Sequence, residues 1–357
     1  MQKQFSSPVG QLQTLIIGAI LFFMKIVFYD TKPFEKEYLE KKLKDSFEIK
    51  FFTNSVFCNT QIQEEIKNAE IISCFIDSEL TRNVLEKFPD LKFIILRSVG
   101  YSHVDLAYCK EKGINIFNCP HYGDASIAEY TFALLFAVSR RIVGAFYDVK
   151  NQNIDDIKYQ GIELYGKTIG IVGLGAIGKK VADIAKSMSM NVIYYDVKKD
   201  ENYTYAALNE LCVKADIISI NCNLNKDTLY MFDCNRFKIM KDGVIIINTS
   251  RGEVIQTTAL YEALVSKKVS FAALDVVECE NVLYEQEENK VDINSVKENC
   301  LKSFYVTSKL LNMENVIVTP HIAYNTKEAK KRILEITVEN IFASTKFTNS
   351  AKNLVLL

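Results

Sequence analysis

The chain has 357 residues, 48% hydrophobic and 24% charged, and its 43 basic and 44 acidic side chains leave a net charge of −1. That length accommodates two domains with proper cores, and the balanced charge argues against nucleic acid or an anionic membrane surface as a partner. Nine scattered cysteines, none in a C-x-x-C arrangement, and only three histidines, His103, His121 and His321, fit buried free thiols in a reducing, cytoplasmic setting and predict no structural metal.

Residues 1–23 are expected to be a non-functional extension. Leu15 to Phe23 is apolar and follows Lys3, but the run is too short to span a bilayer and lacks a small-residue cleavage site. Met24 is the expected biological start, since Met24 to Asp30 reads as a first strand. From there short apolar runs alternate with amphipathic segments. Strands are predicted at Lys25 to Tyr29, Phe47 to Phe52, Ile71 to Ile76, Phe93 to Leu96 and Ile114 to Asn118. This alternation implies a parallel sheet with crossover helices. Ser126 and Glu129 have capping-box spacing and predict a helix to about Ile142. It is apolar on nearly every side, so it is expected to be buried between domains or subunits.

A second sheet is predicted from Lys167, continuing with Asn191 to Tyr195, Ile217 to Asn221, Val244 to Asn248, Phe271 to Val276 and Val316 to Thr319. The polar stretch from Asn281 to Asn312 reads as an irregular excursion with one helix at most. Thr326 to about Lys346 reads as a closing helix that returns the chain to the first domain.

Gly173-Leu174-Gly175-Ala176-Ile177-Gly178 matches G-x-G-x-x-G between the strand that begins the second sheet and an amphipathic stretch. In that context the first glycine permits a tight turn and the second lets backbone approach a pyrophosphate. The third lets helix pack on strand, leaving the helix N-terminus toward phosphate. Asp196 closes the next strand, 18 residues past Gly178, where a carboxylate holds ribose hydroxyls and repels a 2′-phosphate. The expected cofactor is therefore NAD rather than NADP. The expected architecture is α/β, with two Rossmann-like or flavodoxin-like domains built on parallel sheets. A substrate domain of residues 24–121 and 324–357 is interrupted by an NAD-binding domain at 122–323.

Ligands of open α/β sheets bind beyond the carboxyl ends of the strands. Asn248-Thr249-Ser250-Arg251-Gly252, Asp275 with Glu280, and Thr319-Pro320-His321 all lie at such ends. Arg251 can grip a carboxylate through two charge-assisted hydrogen bonds. His321 can exchange a proton with a carbonyl or hydroxyl oxygen, and Glu280 can fix its tautomer and favour the imidazolium. Asp275 is expected on the cofactor side, buttressing this network rather than touching substrate. The trio suits hydride transfer to a 2-oxo acid. Taken singly, Arg251 is better read as an interdomain ion pair, Glu280 as a solvated acid and His321 as a satisfied strand-end residue; it is the three together beside a nucleotide fingerprint that favour chemistry. His103 and His121 are expected to be structural.

At these residues the chain resembles the D-isomer-specific 2-hydroxyacid dehydrogenases. The likeness runs from about Met24 to the C-terminus. It adds Arg97-Ser98-Val99-Gly100, Pro120-His121-Tyr122-Gly123 and Leu274-Asp275-Val276 with Glu278 to the motifs above. The resemblance implies a homodimer through the nucleotide domain and catalytic roles for Arg251, Glu280 and His321. It also implies Val99 and Gly100 backbone near the substrate carboxylate, with Tyr122 and Tyr324 as pocket walls. Within the family the chain is most similar to the D-lactate dehydrogenases, because of the excursion beginning Asn281-Val282-Leu283-Tyr284. This implies reversible reduction of pyruvate to D-lactate. Larger 2-oxo acids such as 2-oxoisocaproate are the alternative substrates, and an NADH-binding corepressor is the alternative role. Asn223-Leu224-Asn225 departs from the family's frequent Pro-Leu-Thr, and Val277 from its common tyrosine.

Overall fold

The computed structural model describes residues 24–57, 60–152, 157–280, 298–346 and 352–355. The expected N-terminal extension and Asn281-Val282-Leu283-Tyr284 lie outside them. Two compact units result: the described residues up to Tyr122 together with Thr326 onward, and Gly123–Asn325.

The first unit holds β1 (Lys25–Phe28), β2 (Glu48–Phe51), β3 (Ile71–Cys74), β4 (Phe93–Leu96) and β5 (Asn115–Phe117). They run parallel in the order β5, β4, β3, β1, β2, the flavodoxin-like arrangement. Alternate side chains leave a strand on opposite faces, and here both faces are covered. Val27, Ile72, Ile94 and Ile116 pack on one side, and Ile26, Ile71, Ile95 and Phe117 on the other. Leu334 and Ile341, from the helix Lys327–Thr345, belong to that second layer. Leu354–Val355 adds an antiparallel strand beside β5. The sequence gives no warning of it, because two residues carry no periodicity.

The second unit holds β6 (Thr168–Val172), β7 (Asn191–Tyr195), β8 (Thr204–Tyr205), β9 (Ile217–Ile220), β10 (Val244–Asn248), β11 (Val269–Leu274) and β12 (Val316–Val318). All are parallel, ordered β12-β11-β10-β9-β6-β7-β8. The chain turns outward in both directions from the β6/β9 pair, which creates the crevice where dinucleotides bind in doubly wound sheets.

The helices of this unit include α1 (Asp124–Ser139), α2 (Ile142–Lys150) and α3 (Ala176–Ser187). The capping box expected at Ser126 and Glu129 does not form. The Ile127 amide already donates to the Gly123 carbonyl at 2.9 Å, so the helix begins earlier and Ser126 lies inside its first turn. The helix also stops before Ile142. Arg141 takes a left-handed φ of 52° and α2 starts afresh. Within α1, Phe132, Leu134, Leu135 and Val138 are buried, whereas Phe136 is 39% exposed, so the helix is less enclosed than its composition suggests. No helix among the described residues is long and apolar enough to cross a membrane.

Candidate active site

The glycine turn lies at the carboxyl end of β6. Gly173 has φ +92°, and a Cβ there would come within 2.7 Å of the Cys222 amide, so the turn cannot carry a side chain. Gly178 is buried in the first turn of α3 and faces the Gly173 carbonyl. Gly175 is the N-cap of α3 and no side chain caps that end, while nothing lies within 4 Å of where its Cβ would be. An N-terminus with open space and uncapped donors at Ala176 and Ile177 fits a dinucleotide pyrophosphate. Asp196 closes β7 and accepts from the Leu174 amide at 2.7 Å through one oxygen and from the Lys198 amide at 2.9 Å through the other. The acid therefore braces the glycine turn, and its partly exposed oxygens keep acceptor capacity for ribose hydroxyls.

Arg251, Glu280 and His321 follow β10, β11 and β12, three consecutive strands of the sheet. At the usual spacing of neighbouring strands their starting points span about 10 Å. Asn248 shapes the first of these turns. Its Oδ1 accepts from the Ser250 amide and hydroxyl, both at 3.0 Å, while its Nδ2 donates to the Arg251 carbonyl at 2.9 Å. Gly252 packs directly on the backbone of Val277 and Glu278, so the Arg251 turn and the Glu280 loop touch. The Arg251 guanidinium is partly exposed, and one nitrogen donates to the Ser250 carbonyl at 2.6 Å.

His321 Nδ1 lies 2.7 Å from Glu280 Oε1, with both side chains about one-fifth exposed (21% and 22%). This pairing leaves Nε2 as the nitrogen for proton exchange. His321 takes a left-handed φ of 51°, which Asp275 enforces from below. Asp275 is fully buried; its carbonyl accepts from the His321 amide at 2.9 Å. Its carboxylate accepts from the Thr319 hydroxyl at 2.6 Å and from the Ile322 and Ala323 amides at 3.0 and 2.8 Å. Burial pushes this carboxyl above the usual range, and those hydrogen bonds pull it back. Buried beneath the loop, Asp275 takes the buttressing place, with its carboxylate directed to the loop's own donors.

Val99, Gly100 and Tyr122 belong to the first unit and Tyr324 to the second. The Val99 carbonyl accepts from Asn118 Nδ2 at 2.8 Å and the Gly100 carbonyl from the Ser98 hydroxyl at 2.7 Å. Tyr122 is buried and its carbonyl accepts from Arg332 Nε at 2.7 Å. Tyr324 is partly buried beside Gly123.

Three features of the Glu280 loop escape sequence reasoning. Glu278 is buried and accepts from the Tyr230 hydroxyl at 2.6 Å and from the Thr257 amide at 3.0 Å. That contact to Glu278, with burial second, pushes the Tyr230 phenol up to about 12. Glu253 lies near Glu280 and accepts from the Cys279 amide; burial first, then the neighbouring carboxylates, raise its pKa. Cys279 and Cys300 form a disulfide, which corrects the expectation of free thiols for this pair. Spacing alone does not reveal pairing. Six other cysteines among the described residues are free.

The doubly wound sheet, the uncapped helix behind a glycine turn and the basic and acidic groups at adjoining strand ends define an NAD-dependent oxidoreductase. Residues 132–323 match the D-isomer specific 2-hydroxyacid dehydrogenase, NAD binding domain, and the chain belongs to that family. It is 31% identical to the D-lactate dehydrogenase of Escherichia coli over 89% of this chain and 96% of the relative. It is 34% identical to the hydroxypyruvate reductase of Thermotoga maritima over 79% and 87%. The structure of a D-lactate dehydrogenase from Aquifex aeolicus, complexed with NAD and lactic acid, superimposes with a TM-score of 0.81 at 36% identity. That match covers 90% of this chain and 95% of the other.

Proposed function

We propose that this dehydrogenase reduces pyruvate reversibly to D-lactate, with His321 as acid and base. The observation that carries the reading is the 2.7 Å pairing of His321 Nδ1 with Glu280 Oε1, on the two strands that follow the one presenting Arg251 in the sheet. Similarity to a structure holding NAD and lactic acid supports the choice of substrate. Gly175, Ala176 and Ile177 at the N-terminus of α3 would hold NAD, with Asp196 toward its ribose, and the bound cofactor would supply the hydride exchanged with the substrate carbon. Arg251 holds the substrate carboxylate and so fixes the neighbouring carbonyl. His321 gives a proton from Nε2 to the carbonyl oxygen on reduction and takes it back on oxidation. Glu280 keeps Nδ1 protonated and stabilises the charged ring, as a carboxylate does beside a catalytic histidine. Asp275 holds the loop that aims the ring. Val99, Gly100, Tyr122 and Tyr324 enter this reading as substrate contacts through the family resemblance alone.

The protein is further proposed to act as a cytoplasmic homodimer. On α2, Ile142, Phe146, Tyr147 and Val149 are each more than half exposed (53%, 54%, 59% and 60%), a patch of the kind that marks an association face. NADH oxidation with pyruvate, hydroxypyruvate and 2-oxoisocaproate tests the substrate, together with the chirality of the product. D-lactate formed at the highest specificity constant supports the reading. Preference for hydroxypyruvate or 2-oxoisocaproate reassigns the substrate, and NADH binding without turnover favours a corepressor. Sedimentation of the intact protein decides the dimer.

A further inference from the structure

Glu280 is held by little of its own. Oε1 meets His321, while Oε2 is buried with no hydrogen-bond partner among the described residues. Among the described residues, the constraints next to it in the chain fall on Cys279. Cys279 is constrained in three ways. Its backbone has a left-handed φ of 53°, its amide donates to the Glu253 carboxylate, and its sulfur is bonded to Cys300, with 5.5 Å between the Cα atoms. Cys300 belongs to the helix Glu298–Leu310, which is firmly seated: Ser303, Val306, Thr307 and Leu310 are all buried. Of these three constraints only the sulfur bridge can be made and broken by solution chemistry. Both cysteines are partly exposed, whereas Cys74, Cys109, Cys119 and Cys212 are buried.

We propose that Cys279 and Cys300 form a reversible thiol–disulfide site that governs how firmly Glu280 is held against His321, the oxidised form being the faster enzyme. In reduction, a thiolate of an external dithiol attacks one sulfur of the bridge and gives a mixed disulfide. The dithiol's second sulfur then displaces the protein thiol. The S–S bond is broken, the two cysteines gain two electrons and two protons, and the dithiol becomes its own disulfide. Glu280 then loses the covalent anchor one residue away, and a misaligned partner weakens proton transfer at the ring. NADH binding at the α3 N-terminus uses other residues and is unaffected. The inference rests on the His321 and Glu280 roles proposed above.

The test is a redox titration of the purified enzyme in buffers of reduced and oxidised dithiothreitol, followed by alkylation, peptide mass mapping and kinetics on the same samples. The expected result is a Cys279–Cys300 cross-linked peptide that disappears on reduction while kcat falls about three- to tenfold. KM for NADH should stay constant, and both readouts should share one midpoint. Cys300→Ser should be fixed at the lower turnover and indifferent to the buffer. Absence of the cross-linked peptide throughout, unchanged kcat as the peptide converts, or a full redox response in Cys300→Ser would each overturn the inference. Because the wild-type titration stands alone, a poorly folding variant does not blunt it. The two readings fail differently: an active His321→Ala enzyme refutes the catalytic assignment, while an inactive one beside a redox-indifferent wild type refutes only the switch.

Discussion

Each unit of the molecule places an arginine and a histidine beyond the carboxyl ends of its sheet, and their circumstances are opposite. In the first unit Arg97 follows β4 and is fully buried. Its guanidinium donates to the Tyr29 and Asp30 carbonyls at 2.6 and 3.0 Å and to the Ser73 hydroxyl at 3.3 Å. Nearby, burial pushes the His103 imidazole below its ordinary pKa, against the pull of Asp30. In the second unit Arg251 is partly exposed and His321 has a carboxylate partner. The lesson is that location at a strand end marks a candidate, and solvent access separates a group that can meet a ligand from one enclosed in the fold.

The sharpest way to break this contrast is His321→Ala, which should lower turnover by roughly 10²–10⁴ while NADH affinity, measured by fluorescence titration, stays constant. Arg251→Ala should cost about 2–4 kcal/mol in the specificity constant for the 2-oxo acid, with unfolding by urea little changed. Arg97→Met should show the converse, losing about 2–3 kcal/mol of stability in the same urea assay because the Tyr29 and Asp30 carbonyls lose their donor. The smallest effect belongs to Glu253→Gln. A carboxyl raised in the folded state contributes stability below its unfolded pKa and loses it as pH rises through the folded value. The melting temperature of Glu253→Gln relative to wild type should therefore climb by about 2 °C between pH 4 and pH 7. A flat difference would show that the Glu253 carboxyl is not under strain beside Glu280.

Much of this is legible in the amino-acid sequence. β4, β7 and β10 begin and end where expected, and most other strands differ by one or two residues; a strand buried on both faces, as β4 and β10 are, writes itself as a nearly continuous apolar run. The pairing of Glu280 with His321 was foreseeable from adjacent strand ends. What stayed hidden depends on contacts distant in sequence. Glu278 looks like any acid in a charged stretch until Tyr230 and the Thr257 amide close on it. The bond between Cys279 and Cys300 follows from where the chain re-enters the fold after the excursion. The Ser126 and Glu129 spacing misled because a capping box is a local preference, and the Gly123 carbonyl had already started the helix.

The two-residue strand at Leu354–Val355 has a practical consequence. It pairs antiparallel with β5, and without it β5 would present a bare row of amides and carbonyls, the usual template for edge-to-edge stacking. Proteolytic trimming of the tail, or a rigid fusion that lifts it away, should therefore yield open-ended aggregates. These would differ from the closed pair expected of the α2 face, since a sheet border accepts one neighbour after another without a symmetry to stop the growth.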